Sequence, residues 1–199
     1  MKISVVVTNF NYDKWLRRCL RSLINQNFND YEVIVVDDLS TDNSRNILLE
    51  YQNHPKIKVI FNKTNIGVGA SSTKGAKLAK GKYLIRVDAD DYVHNDFLKC
   101  LYLWAHFNNS HAVACDYQEV NFNEDVLSKK SQKDETLACG ILYRTDILEY
   151  LGYWDSKLRI NEDIDMIERF KKEFKLEYLN IPLYRYFKHG QSLTDNTPR

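Results

Sequence analysis

The sequence is poor in residues that make chains flexible or cross-linked. Seven glycines and three prolines in 199 residues leave little room for long linkers. The four cysteines, Cys19, Cys100, Cys115 and Cys139, lie far apart without CxxC spacing. Buried reduced thiols fit that pattern better than a disulfide or metal role, and they suit a reducing, cytosolic compartment. An excess of one charge is also missing. The formal net charge is +1, so no basic field supports nucleic-acid binding, and no nucleic-acid partner is expected. Long apolar runs are absent too. The opening "MKISVVVTNF" is too short for the hydrophobic region of a signal peptide, and no window approaches the length of a membrane span.

What is present fits a soluble globular chain, with 44% hydrophobic and 28% charged residues. The length suits one domain, or one domain with an appended lobe. Thirteen tyrosines and nine phenylalanines serve core packing or stacking on planar and sugar rings.

Strand-like and helix-like patterns alternate along the first half. Strands are expected at residues 2–7, 31–36, 57–62 and 82–87, each apolar and rich in β-branched or aromatic residues. Between them, residues 14–26 place Trp15, Leu16, Cys19, Leu20, Leu23 and Ile24 at helical spacing. Ser40 or Thr41 offers an N-cap for a second helix. "GASSTKGAKLAKG" gives a third helix, and residues 95–107 a fourth. This order predicts an α/β fold with a mostly parallel sheet and helices on both faces. Ligands bind beyond the carboxyl ends of such strands, here Thr8-Asn9-Phe10-Asn11, Asp37-Asp38 and Asp88-Ala89-Asp90. In the second half, residues 111–120 and 136–144 read as strands, and the polar stretch 121–135 between them as a mobile loop. Residues 159–175 read as a helix capped by Asn161, with Ile164, Ile167, Phe170 and Phe174 near one face. The tail from Phe187 carries no clear pattern.

Three acidic sites stand out, and each has a plain structural explanation as well as a chemical one. Asp88 and Asp90 alternate, so they can converge while Ala89 leaves room for a ligand. Such carboxylates suit a hard divalent cation that also takes phosphate oxygens and water, or they simply form a polar strand end with Asx-turn bonding. Asp37 and Asp38 could accept from a base imide or a ribose hydroxyl, or serve as turn acids beside Ser40, Thr41 and Asp42. Glu162 and Asp163 open a helix, where the macrodipole alone favours acids by roughly 0.3–1 kcal/mol.

Taken together, the motifs resemble family 2 glycosyltransferases of GT-A fold. The resemblance rests on "SVVVTNFNYDKWLRRCLRSLINQNFNDYEVIVVDDLSTDNS", "NIGVGASSTKGAKLAKGKYLIRVDADD", "CGILYRTDILEYLGYWDSKLRINEDIDM" and "YRYFKHGQSLT", which cover about nine-tenths of the chain in family order. It implies a Rossmann-like central sheet flanked by helices, with a smaller acceptor-side lobe. Residues 1–100 would form the nucleotide-sugar half and residues 101–199 the acceptor half of one catalytic domain. The implied reaction is an inverting hexosyl or N-acetylhexosaminyl transfer from a nucleotide diphosphate donor, UDP-sugar foremost, assisted by Mg2+ or Mn2+. By the same resemblance, Thr8, Asn9 and Phe10 form the base-binding loop, Asp38 reads the base edge with help from Asp37, and Asn65 and Gly67 belong to the nucleotide site. Asp88 contacts ribose or metal, Ala89 lies between, Asp90 coordinates the metal, and His189 sits in a terminal segment that closes over the diphosphate and adds a metal ligand. Asp163 matches the general base. Trp154, Asp155 and Glu162 are candidate acceptor contacts, or packing residues of the "YLGYWD" turn.

One departure is visible: relatives commonly read "ARN-x-G" where this chain has "SSTKG", so Ser72 stands where an Arg helps hold the nucleotide, with Lys74 a displaced substitute. The resemblance also implies a glycan or lipid-linked acceptor and a cytoplasmic protein with peripheral contact at the inner membrane face. The chain is short for that family, being either compact or part of a longer polypeptide. Two rivals remain at this stage. A nucleotidyltransferase of related fold would carry a Gly-rich, Arg-containing loop after the first strand, where this chain has "TNFNYDKW". The other is an inactive module that binds sugar nucleotides or glycans.

Overall fold

A computed structural model of the protein describes residues 1–190. Strand β1 (Ile3–Asn9) is buried along its whole length at the middle of a parallel block. It pairs with β2 (Tyr31–Asp37) on one side and β4 (Tyr83–Asp88) on the other, and β3 (Ile57–Phe61) flanks β2. Three helices make the crossovers: α1 (Asp13–Ile24), α2 (Ser44–Glu50) and α3 (Val68–Ala76). The remaining elements are β5 (Tyr92–Val93), α4 (Phe97–Phe107), β6 (Ala112–Val120), β7 (Val126–Lys130), β8 (Ile141–Arg144), α5 (Thr145–Tyr150), α6 (Glu162–Glu173) and β9 (Leu176–Phe187). The sheet runs β3-β2-β1-β4-β8-β6-β9-β5, and β7 pairs with the distal half of β6. It turns antiparallel at β8, which pairs with both β4 and β6. Among the described residues, no helix is long and apolar enough to cross a membrane.

Strand alternation divides the core in two. Val5, Val7, Ile85 and Val87 face a cluster covered by α1, α2 and α4, whereas Val6 and Leu84 face one covered by α3, α5 and α6. Helix α1 is a direct product of its spacing. Leu16, Leu20 and Leu23 recur on one stripe and are fully buried, each worth about 1.5–3 kcal/mol.

Several expectations are corrected. The second helix begins at Ser44 instead of just after Ser40 or Thr41. Ser40 is drawn away because its hydroxyl donates to Asp37 at 2.6 Å, while Asp42 accepts the Ser44 N–H at 2.9 Å. The stretch 121–135 is not a plain loop. Asn121 folds an Asx turn onto the N–H groups of Asn123 and Asp125, and β7 follows. Gln132, fully buried, then bonds Leu137 and Cys139, which shortens the expected strand at 136–144 to β8. Asn161 occupies the N-cap position of α6 with φ +61° but makes no side-chain cap bond. The buried face of α6 is Glu162, Met166, Ile167 and Phe170, so Ile164 turns outward at 52% exposure. β9 escapes a sequence reading because Pro182 interrupts its pattern. Its pairing with β6 shifts register at Cys115/Asp116 and Asp116/Tyr117, opposite that proline.

Candidate functional site

Register brings the expected loops to one edge. Thr8 lies opposite both Val36 and Asp88, and Asn9 opposite Asp37. Thr8, Asn9, Asp37 and Asp38 are all buried, while Phe10 stands 44% exposed at the rim. Asn9 donates to Asp37 at 2.8 Å and to Ser40 at 3.0 Å, leaving its own buried carbonyl oxygen without a partner. Asp38 organises the loop before α3. Its Oδ1 accepts from Asn62 Nδ2 at 2.8 Å and Ile66 N at 2.9 Å, and its Oδ2 accepts from Gly67 N at 2.7 Å. Gly67 has φ +88°, a conformation that a side chain would strain. Asn65 donates to the Asp38 carbonyl at 3.3 Å, and Arg159 reaches across to Asn65 Oδ1 at 3.3 Å. Lys74 is committed to Asn62 Oδ1 at 2.6 Å, so it buttresses Asp38 from behind. Ser72 is fully buried with an unpartnered hydroxyl.

The end of β4 holds three carboxylates with three different sets of partners. Asp88 Oδ2 accepts the Cys139 thiol at 2.9 Å, and Oδ1 lies 3.3 Å from Arg86 Nε, an ion pair whose N–H is not aligned on the oxygen. Burial pushes the Asp88 carboxyl up; Arg86 pulls it down, and Asp90 adds to the rise. Ala89 is buried beside it. Asp90 Oδ2 is 2.9 Å from His189 Nε2. The His189 ring is held by Trp15, with centroids 4.1 Å apart, and by Phe187 at 5.3 Å. Arg18 lies over Phe187 and Tyr92 and donates to the Asp90 carbonyl at 3.0 Å. The expected closure by residues beyond Gly190 lies outside the described residues.

Asp91 has a structural job. It accepts the Tyr184 hydroxyl at 2.7 Å and the Phe187 N–H at 2.8 Å, pinning β9 where it leads to His189. Asp91→Ala orphans two buried donors and is expected to cost about 2–5 kcal/mol, read as a lower urea midpoint. Asp91→Asn keeps one acceptor and can donate to the tyrosine oxygen, so it loses less. Burial, with Asp90 and Asp88 adding to it, holds the Asp91 carboxyl well above its ordinary value. A raised acid stabilises the fold below its ordinary pKa, and that contribution is lost as pH rises through the folded value. The stability of Asp91→Asn relative to the unaltered protein should therefore improve with rising pH.

The start of α6 meets this edge from the other half of the chain. Arg86, at 5% exposure on β4, donates from Nη1 to Glu162 Oε1 at 2.8 Å, and its Nη2 lies 3.8 Å from Asp163 Oδ2. Burial opposes the guanidinium charge, but Asp88, Glu162 and Asp163 outweigh it and hold Arg86 charged. Burial raises the Glu162 carboxyl against the pull of Arg86. Asp163 keeps an accessible side chain at 28% exposure. Trp154 is 4% exposed, with Arg86 5.9 Å from its ring centroid, so little of the ring is left for a sugar to stack on. Glu162 is likewise buried on Arg86, and Asp155 is exposed, turning its carboxylate onto Lys157 N at 2.9 Å.

Two residues of this arrangement escaped the sequence reading. Arg86 had a signal, since it is the one charge inside an apolar buried strand, and buried charges are paired. Cys139 had none, because a thiol in an apolar context reads as core whether or not a carboxylate faces it.

Comparison with known proteins places this geometry. The sequence matches the profile of glycosyl transferase family 2 over residues 4–182. Glycosyltransferase GlyA of Streptococcus pneumoniae is 28% identical over 93% of this chain and 30% of its own length. The poly(ribitol-phosphate) beta-N-acetylglucosaminyltransferase TarS of Staphylococcus aureus is 32% identical over 82% of this chain and 31% of its own. The crystal structure of TarS residues 1–349 in complex with UDP-GlcNAc superposes with a TM-score of 0.87 at 26% identity, covering 100% of this chain and 62% of that one. The chain thus spans under a third of these curated relatives, and its mixed sheet flanked by helices is the GT-A architecture of TarS. With a profile match across nearly its whole length and the fold to accompany it, the chain belongs to glycosyl transferase family 2.

Proposed function

We propose that the protein is an inverting glycosyltransferase that moves a sugar from a UDP-sugar to a hydroxyl of a glycan or lipid-linked acceptor. One observation carries this reading: the carboxylates of the β4 end and of the α6 start meet at Arg86, beside the loop that Asp38 organises. Crystal structures of TarS with UDP and with UDP-GlcNAc support the donor class.

Residues 1–100 hold the donor in this reading. Phe10 offers an exposed ring for the base, and Asp38 Oδ2 keeps a lone pair beside Gly67 N for an imide N–H. Asp37 fixes Asn9 and Ser40 around it. Residues from 101 onward supply the acceptor side, with Asp155 at its exposed rim. Asp163 accepts the proton of the acceptor hydroxyl as that oxygen bonds to the anomeric carbon. The bond from that carbon to the diphosphate oxygen breaks with its electron pair, UDP departs, and the single displacement inverts the centre.

The donor set at the β4 end fits a divalent cation. Carboxylate oxygens are the ligand type that Mg2+ and Mn2+ favour, and a cation would relieve the repulsion that Asp90 adds to the effect of burial at Asp88. Among the described residues no group of three or more His, Cys, Asp or Glu side chains is placed to hold a metal ion unaided. In this reading Asp90 and Asp88, with His189 beside Asp90, would hold the ion only together with donor phosphate oxygens, and bound Mg2+ or Mn2+ would neutralise the charge developing on the departing diphosphate.

The test is a panel of UDP-sugars with Mn2+, read as UDP release. Release that is lost in Asp90→Ala supports the reading. Formation of UTP from UDP-sugar and pyrophosphate would replace it with nucleotidyl transfer, and nucleotide binding without turnover would replace it with a binding module.

A further inference from the structure

Arg86 ties the end of β4 to the start of α6, and so joins the two halves of the proposed site. Leu84, Arg86 and Asp88 alternate along β4 and face the layer of α3 and α6. The guanidinium meets Asp88 at 3.3 Å on its own strand and Glu162 at 2.8 Å and Asp163 at 3.8 Å on α6. The surroundings restrict it further. Trp154 lies 5.9 Å from it, and Thr73 Oγ1 on α3 donates to the Trp154 carbonyl at 2.9 Å, so the segment before α6 is tied to α3. An arginine fork is the group suited to several carboxylates at once, because its donors diverge from one rigid plane; a lysine offers a single point charge.

The backbone at this point needs such an anchor. α6 starts from Asn161 at φ +61° with no side-chain cap bond from that residue, so the local side-chain fastening of its first turn is the Asp163 Oδ1 bond to the Ile164 N–H at 2.7 Å. Buried Glu162 on Arg86 ties that turn to β4, and Asp163 follows it directly. We propose that Arg86 is a positioning residue, which holds the first turn of α6 so that Asp163 faces the donor edge of the sheet. The proposal rests on the reading of Asp163 as the base that deprotonates the acceptor.

The test compares Arg86→Lys and Arg86→Met in the full chain, assayed for kcat and donor KM with a UDP-sugar found to be turned over. Misplacing a catalytic group by about 1 Å is enough to cost roughly 10²-fold. Arg86→Met is therefore expected to lower kcat about 10- to 100-fold, with donor KM little changed. Arg86→Lys should recover part of that loss. In an Asp163→Asn background, Arg86→Met should cause no further loss, because the group it positions no longer works. Should Arg86→Met fail to fold, the double variant Arg86→Met/Glu162→Leu removes both buried charges and enters the same comparison. An unchanged kcat, a loss confined to donor KM, or losses that multiply in the Asp163→Asn background would each overturn the proposal. Full turnover in Asp163→Asn alone would instead remove the underlying reading, so the two failures are distinguishable.

Discussion

Asp163→Asn is expected to lower turnover of a UDP-sugar by about 10²–10⁴-fold, the range for loss of a general base. The substitution is nearly isosteric. Its amide oxygen can still accept the Ile164 N–H, which Asp163 Oδ1 now takes at 2.7 Å, so the first turn of α6 survives. What disappears is the carboxylate Oδ2, 3.8 Å from Arg86 Nη2, as the oxygen that takes the proton. Affinity for UDP, measured by calorimetry, should stay near that of the unaltered protein, because the Asp38 loop and the β4 end are untouched. Kinetically, the loss belongs in kcat and equally in kcat/KM, the pattern of an interaction made only in the transition state. Residual turnover within about threefold of the unaltered protein would mean that another group serves as base.

The second large effect concerns the opposite edge of the sheet. Gly81→Ala should destabilise the fold by about 3 kcal/mol or more, the top of the range for overpacking. A Cβ there would stand 2.4 Å from Ser4 N, 2.6 Å from the Ile3 carbonyl carbon and 2.7 Å from Tyr83 O. All three are backbone atoms of β1 and β4, and no rotamer change moves them. Gly81 is also fastened on both sides, donating to Ser4 Oγ at 2.9 Å and accepting from Thr145 Oγ1 at 2.7 Å. Gly152→Ala is the control. Its φ is +81° with open space around it, so only the left-handed penalty of about 1–2 kcal/mol applies. Urea midpoints that rank the two in the reverse order would refute this account. Gly81 lies at the start of the strand whose far end carries Asp88, about 20 Å away at strand rise. The folded fraction of Gly81→Ala should therefore keep its donor KM.

The parallel half of the fold was legible because its information is local. Val5 to Val7, Val33 to Val36 and Tyr83 to Ile85 are apolar runs, and the acids that end their strands need only strand geometry to share an edge. The antiparallel half was not legible in the same way. β9 contains Pro182 and tolerates it through a shifted register, a compromise visible only with β6 in place. β7 forms because Asn121 turns the chain and β6 offers an edge, not because residues 126–130 are apolar. At the site, the acids were found and their partners were not. Arg86 meets Glu162 across 76 positions, and Cys139 meets Asp88 across 51. For Trp154 the sequence left a sugar contact and plain packing open, and its ring lies 4% exposed with the Arg86 guanidinium 5.9 Å from its centroid.

The strand that completes the site also sets a temporal order on folding. β9 is the last strand the ribosome would deliver among those described, yet it lies between β6 and β5 inside the sheet. Asp90 and Asp91 are made 93 to 99 residues before Tyr184, the Phe187 N–H and His189, their eventual partners. Throughout that interval the nascent chain carries the acids of 88–91 without the partners that β9 and His189 supply. Contacts so distant along the chain form slowly, so the N-terminal block can take shape from its nearer pairings before Asp90 and Asp91 meet β9 and His189.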